Sequence, residues 1–201
     1  MARPRKISDH QIFEAVRQCV FAGGIQVPLD TVAQSLGVTA PALLKRFGSK
    51  RHLLFEALAP PEAPPFLKVI AEGPTQDPLV DQMTHIALEI GSFLQAMLPR
   101  LAAIRASNII HRMMQQKFTI PPPVRTLDSL TEWFSRAETQ GLTGSDPSPK
   151  TKASLMFGAI HIRIFLSFIS HEATEDPDEF DNYLRTSMDL LARSFIPEEK
   201  S

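Results

Sequence analysis

Residues 27–54 read V-P-L-D-T-V-A-Q-S-L-G-V-T-A-P-A-L-L-K-R-F-G-S-K-R-H-L-L. Leu29, Val32, Ala33 and Leu36 recur at the spacing of one helix face. Gly37 follows where a helix closes in the left-handed region, a conformation that costs least without a β-carbon. Thr39 can cap a second helix, whose Leu43, Leu44 and Phe47 are expected to pack back. Ala33 is small where two crossing helices must approach closely. The pattern is a helix-turn-helix.

Charge is concentrated around it. Residues 1–58 hold eight basic side chains (Arg3, Arg5, Lys6, Arg17, Lys45, Arg46, Lys50, Arg51) against four acids (Asp9, Glu14, Asp30, Glu56), a net +4. The remainder carries 13 basic and 18 acidic residues, or −5, so the total of −1 conceals a basic head on an acidic body. Phosphate neutralisation needs local positive charge, which makes the head the expected nucleic-acid surface.

The rest of the chain reads as helices. Ser8 or Asp9 can cap a first helix carrying Ile12, Val16, Cys19 and Val20, with Phe13 alongside, and Gly23-Gly24 ends it. Ser49 caps a fourth helix bearing Leu53, Leu54, Ala57 and Leu58. A-P-P-E-A-P-P (59–65) stops that helix, because prolines delete donors and clash with the preceding turn. This cluster sets the expected boundary between a domain of residues 1–58 and one of residues 66–201. Beyond it Leu79, Met83, Ile86, Ile90, Phe93 and Met97 step by four and three residues, a helical stripe ending near Pro99. A further helix is expected to hold Leu101, Ile104, Ile109 and Met113. Pro121-Pro122-Pro123 precedes another, with Val124, Leu127, Leu130 and Phe134, which ends near Gly141 and Gly144. No alternating strand pattern or internal repeat appears, so the fold class is all-α.

Residues 155–169, L-M-F-G-A-I-H-I-R-I-F-L-S-F-I, place apolar side chains all round a helix. So few helices cannot cover it from within, and the missing cover is expected from a second copy. This segment and the amphipathic helix of residues 177–195 (Phe180, Leu184, Met188, Leu191, Phe195) are the expected homodimer interface, a four-helix bundle about a two-fold axis. Such a dimer presents two basic heads to successive major grooves of a palindrome. Arg163, a charge within the apolar segment, is left three roles: an interface ion pair, an anionic ligand, or snorkelling to solvent.

The head, and above all V-A-Q-S-L-G-V-T (32–39) and L-L-K-R-F-G-S-K-R-H-L-L (43–54), resembles the TetR family of transcriptional regulators. The likeness is specific over residues 8–58; the remainder agrees in helix number and in its last helix pair. It implies a three-helix DNA-binding domain followed by a helical ligand-binding and dimerisation domain. It also implies phosphate contacts from Thr39 and Lys50, with residues 39–46 in the major groove. Three positions depart from the family pattern: Pro28 where a capping Thr or Ser is common, Pro41 where Gly is frequent, and Leu44 where a DNA-touching Tyr is usual.

Taken residue by residue, Lys45, Arg46, Lys50 and Arg51 surround the recognition helix, the latter two at a helix N-terminus that already favours phosphate. Arg3, Arg5 and Lys6 form an arm able to follow the backbone or enter the minor groove. Ala40, Pro41 and Leu44 give the outward face an apolar character suited to thymine methyls, with Lys45 available to guanine. In the second domain Met83, Phe93, Met97, His111, Met114, Phe118, Trp133, His161 and Phe165 are the candidate lining for a small hydrophobic effector. Trp133 and His161 lead that group, since each adds a polar atom to an apolar site.

Other classes find less support. The six histidines show no i, i+4 metal pair, and no glycine-rich phosphate loop or nucleophile elbow occurs, so neither catalysis, cofactor nor metal is expected. The alternative reading is a DNA-bound structural or protein-recruiting factor without a small ligand. No run of about 18 apolar residues argues for a membrane span. The basic N-terminus lacks the apolar stretch of a signal peptide. The single cysteine, Cys19, cannot form an internal disulfide and reads as a small buried hydrophobe. A cytoplasmic location is the expectation.

Overall fold

In the computed structural model, which describes residues 7–105, 113, 116–170 and 177–196, every regular element is a helix. The chain divides into two compact units, residues 1–61 with 97–119, and residues 62–96 with 120–201. The division after Pro61 falls within the proline cluster.

The first unit holds α1 (Asp9–Gly23), α2 (Leu29–Ser35), α3 (Ala40–Phe47) and α4 (Lys50–Leu58). Ser8 caps α1 with a reciprocal pair: its hydroxyl accepts from the Gln11 N–H, and the Gln11 side chain accepts from the Ser8 N–H. Ile12, Val16 and Val20 recur on the buried face of α1 and meet Val32, Ala33, Leu43, Leu53, Leu54 and Leu58 in one core. Arg17 fastens α1 to the end of α4. Its guanidinium donates to the Ala57 carbonyl (2.9 Å) and to one Glu14 oxygen (2.7 and 3.1 Å). That hydrogen bond and charge hold the Glu14 carboxyl below its ordinary range.

The second unit contains α5 (Phe66–Glu72), the first part of α6 (Leu79–Arg105), α7 (Pro122–Thr139), α8 (Pro149–Ser170) and α9 (Pro177–Phe195). α7 and α8 pack as an antiparallel pair, with α5 against α7 and α9 against α8. Trp133, Phe134 and Phe195 stack edge to face, at ring separations of 5.1 and 5.7 Å. Gly91 lets α6 and α9 meet: a β-carbon there would lie 2.8 Å from Phe180 and 3.0 Å from Leu184.

Two sequence expectations need correction. α5 has no counterpart among the expected helices. Only Phe66 and Ile70 are buried on its seven residues, too few to establish a period, and prolines precede it. Pro99 does not end α6, which continues to Arg105. A proline forfeits one hydrogen bond and crowds a carbonyl, but Leu101, Ala103 and Ile104 beyond it join the first unit's core. Those residues therefore belong to α6 and not to a separate helix; Ile109 lies outside the described residues. As its all-round apolar pattern implied, α8 is not enclosed on all sides by its own chain. Ala153, Met156, Ile160 and Ile164 are buried, while Leu155, Ile162, Phe165 and Leu166 remain 47–54% exposed.

α6 has the length and hydropathy of a membrane span over Leu79–Ile104. Its residues Met83, Ile86, Ala87 and Ile90 are enclosed in the second unit.

Candidate nucleic-acid interface

The turn between α2 and α3 is built by backbone bonds that the sequence makes available. Gly37, at φ +65°, lets the Val38 N–H reach the Ala33 carbonyl (3.0 Å) and the Gly37 N–H reach Gln34 (3.1 Å). These two bonds satisfy the last carbonyls of α2 and aim the chain into α3. Thr39 caps α3, its hydroxyl accepting from the Ala42 N–H at 3.4 Å, and Pro41 sits in the first turn, where a missing N–H costs nothing. Pro28 occupies the N-cap of α2 and supplies no side-chain bond.

Leu43 is the buried anchor of α3, and Phe47 leans on Phe13 with ring centroids 5.6 Å apart. Thr39, Pro41, Leu44 and Lys45 are exposed, Leu44 at 41%. Leu44 therefore belongs to the outward face and not to the packing face. Ala40 is half-buried and lies against the core. The outward surface of α3 is thus a short apolar strip bordered by Lys45.

The neighbouring cations are in different situations. Lys45 and Arg51 make no hydrogen bond or ion pair among the described residues. The Lys50 ammonium donates to the Gln26 carbonyl at 3.3 Å, which holds it at the start of α4, where Ser49 caps the His52 N–H. Arg46 is bound inward, pairing with Asp9 at 2.5 Å and donating to the Ile7 carbonyl at 2.7 Å. This link from α3 to the start of α1 had no signal in the sequence, because 39 residues separate Arg46 from Ile7. Arg3, Arg5 and Lys6 lie outside the described residues.

The candidate effector-lining residues are divided between the two units. Met97 and Phe118 belong to the first unit, and Met83, Phe93, Trp133, His161 and Phe165 to the second. Met83 and Trp133 are enclosed, Phe93 packs on Phe66, and Phe165 is exposed. His111 and Met114 lie outside the described residues. His161 is stacked on Phe157 at 3.9 Å, with Nδ1 3.2 Å from the Phe157 carbonyl. Burial pushes its imidazole below the ordinary value, against the opposite pull of that carbonyl. The folded state thus keeps His161 neutral while the unfolded chain takes up the proton, so stability falls as pH drops through the ordinary histidine range. Arg163 pairs with Glu179 at 3.1 Å and lies over the Tyr183 ring, an ion pair within one chain. Cys19 is half-buried, its sulfur 4.0 Å from the Ser35 hydroxyl.

No protein-family model matches the sequence, and no curated protein matches it either. Solved structures do. A protein of Mesorhizobium loti MAFF303099 described as a TetR-family transcriptional regulator superposes with a TM-score of 0.73 at 16% identity, over 94% of this chain and 96% of that one. SmeT, the repressor of the Stenotrophomonas maltophilia multidrug efflux pump SmeDEF, gives 0.66 at 16% identity, over 96% and 92%. The TetR-family regulator PfmR of Thermus thermophilus gives 0.62 at 19%, over 94% and 100%. Agreement across nearly the whole length of each, with the helix-turn-helix of α2 and α3 in place, fixes the architecture: the fold of this chain is that of the TetR-family transcriptional regulators.

Proposed function

We propose that the protein is a sequence-specific, ligand-responsive transcriptional repressor that binds a palindromic operator as a homodimer. The observation that carries this reading is the outward face of α3, where Thr39, Pro41, Leu44 and Lys45 are exposed, with Lys50 and Arg51 following at the start of α4. Apolar contacts read thymine methyls, while the flanking cations neutralise phosphates without reading sequence. Repression, as against activation, follows the example of SmeT. The domain assignment we adopt is a DNA-binding head from residues 1–58 and an effector-binding, dimerising body from residues 66–201.

Dimerisation is supported by the uncovered side of α8. Leu155, Ile162, Phe165 and Leu166 lie on it, and Leu190 of α9 is 64% exposed. A two-fold axis there would cover the apolar residues of both copies at once. The effector then acts by linkage: a ligand that prefers a head spacing unlike that of the operator lowers DNA affinity by its differential binding energy.

Selection of bound fragments from genomic DNA with the purified protein tests the reading, and enrichment of a palindrome supports it. On that palindrome, replacing thymine by uracil at the contacted positions removes only methyl groups, so weakened binding is expected if Leu44 reads them. Unchanged affinity would remove that role. Lys50→Ala should weaken binding to all sequences alike and flatten the dependence of log affinity on log salt by about one unit. A loss confined to one base position would contradict the phosphate role. Failure to bind any duplex at low salt would overturn the proposal itself.

A further inference from the structure

A cleft of about 360 Å³ opens on the second unit, walled by the end of α5, the α5–α6 loop, the first turns of α6 and the middle of α7. Its buried wall is Trp133 and Ile86, 1% and 3% exposed. Around the opening stand Glu72, Asp77 and Asp81, with His85 as the other titratable lining group. None of the three carboxylates is neutralised by a cation among the described residues. Glu72 and Asp81 make no side-chain hydrogen bond there, and Asp77 accepts only the Thr75 hydroxyl at 2.7 Å. Arg136, the neighbouring guanidinium, is committed to the Ala71 and Ile70 carbonyls at 3.3 and 3.1 Å. The loop that carries Asp77 is fixed by Gln82, whose side chain bonds the Thr75 N–H and the carbonyls of Thr75 and Asp77.

The second observation is Trp133 itself. Its indole N–H donates to no described residue, and it is not one of the sealed, unpartnered polar atoms of the chain. The sliver of Trp133 that stays accessible therefore includes this donor, and Trp133 is a lining residue of the cleft. The donor is left to solvent, and an acceptor arriving with a ligand can take the place of water there.

These features define the occupant by its chemistry. Carboxylates above a low-dielectric wall concentrate a negative potential. They are not spaced to share a metal ion, since no group of three or more His, Cys, Asp or Glu among the described residues can hold one. The charge they attract must ride on a larger body, which Ile86 and the indole can cover. We infer that this cleft binds an organic cation: a protonated amine on an apolar, ring-containing body that offers an oxygen acceptor to the Trp133 N–H. The inference rests on the cleft and not on DNA binding.

Trp133 is the chain's single tryptophan, so its emission reports the site directly. Diphenhydramine, which joins two phenyl rings, an ether oxygen and a protonated tertiary amine, is the probe. Diphenylmethoxyacetate, with the same ring-and-ether body and a negative charge, is the control. Titration of the full chain without DNA should give a saturable change in tryptophan emission with the amine at a Kd below about 1 mM, and none with the acid. The pair Glu72→Gln and Asp81→Asn should weaken the amine by at least about ten-fold. Should loss of Asp81 soften the start of α6, Glu72→Gln alone decides, because an acid at a helix C-terminus is not stabilising; about three-fold weakening is expected. No saturable change with the amine, equal response to the acid, or full affinity in the folded variants would each overturn the inference. Since DNA is absent from the titration, its failure would leave the regulator reading untouched, and failure of that reading would leave the cleft.

Discussion

Lys152→Ala is expected to destabilise the second unit by about 3 kcal/mol, because it removes one partner of a buried pair and strands the others. Lys152 is fully enclosed. Its ammonium lies 3.7 Å from a Glu138 oxygen and 3.3 Å from the Thr143 hydroxyl, and it also donates to the Gly144 carbonyl. That Glu138 oxygen is sealed from solvent and has no hydrogen bond of its own. The ammonium thus gathers the end of α7 and the following loop onto α8, and the Gly144 N–H continues the link to the Phe195 carbonyl at 2.8 Å. Lys152→Met keeps most of the buried stem and loses only the charge, so it separates packing from pairing. Chemical denaturation followed by circular dichroism should show a large midpoint shift for both variants, greater for Ala. Wild-type stability in Lys152→Met would mean that the pairing contributes nothing net.

The second large effect concerns assembly. Ile162→Glu puts a charge in the middle of the uncovered apolar side of α8, where Ile162 is 49% exposed. Within one chain the new carboxylate reaches water and costs little. Across a two-fold axis each carboxylate would face its own copy in an apolar seam, which costs several kcal/mol. Sedimentation should change from dimer to monomer, while thermal unfolding of the monomer stays near wild type. Affinity for a palindrome should fall by about 100-fold, since the second head no longer benefits from being tethered to the first. A variant that remains dimeric would place the interface elsewhere.

These outcomes differ in how far the sequence foretold them. The helix-turn-helix was legible because each part has a local signal: the recurrence of Leu29, Val32, Ala33 and Leu36, the glycine at 37, and the cap at Thr39. The uncovered side of α8 was legible from composition, since a helix apolar all round needs more cover than few helices provide. Pro99 misled because a proline's local cost is visible while the packing of Leu101 and the burial of Ile104 that outweigh it are tertiary. Lys152 gave no sign of being enclosed, because its partners lie at the end of α7 and in the loop after it, which has no periodicity. Arg46 looked like its neighbour Lys45, and only the fold shows that Asp9 occupies it. The carboxylates around the Trp133 cleft come from α5, a loop and α6, so no linear pattern joins them. Apolar and aromatic type cannot separate lining from core, as the enclosed Met83 and the exposed Phe165 illustrate.

The hold of Arg136 on α5 bears on the order of events as the polypeptide acquires its shape. A seven-residue helix cannot sustain itself in water. This one is finished by a guanidinium 65 positions downstream, seated beside Gly73, whose φ of +87° and missing side chain leave room for it: a β-carbon there would stand 2.6 Å from the Arg136 nitrogen. During synthesis the segment therefore leaves the ribosome long before its clasp exists, and it gains lasting helicity only when α7 arrives.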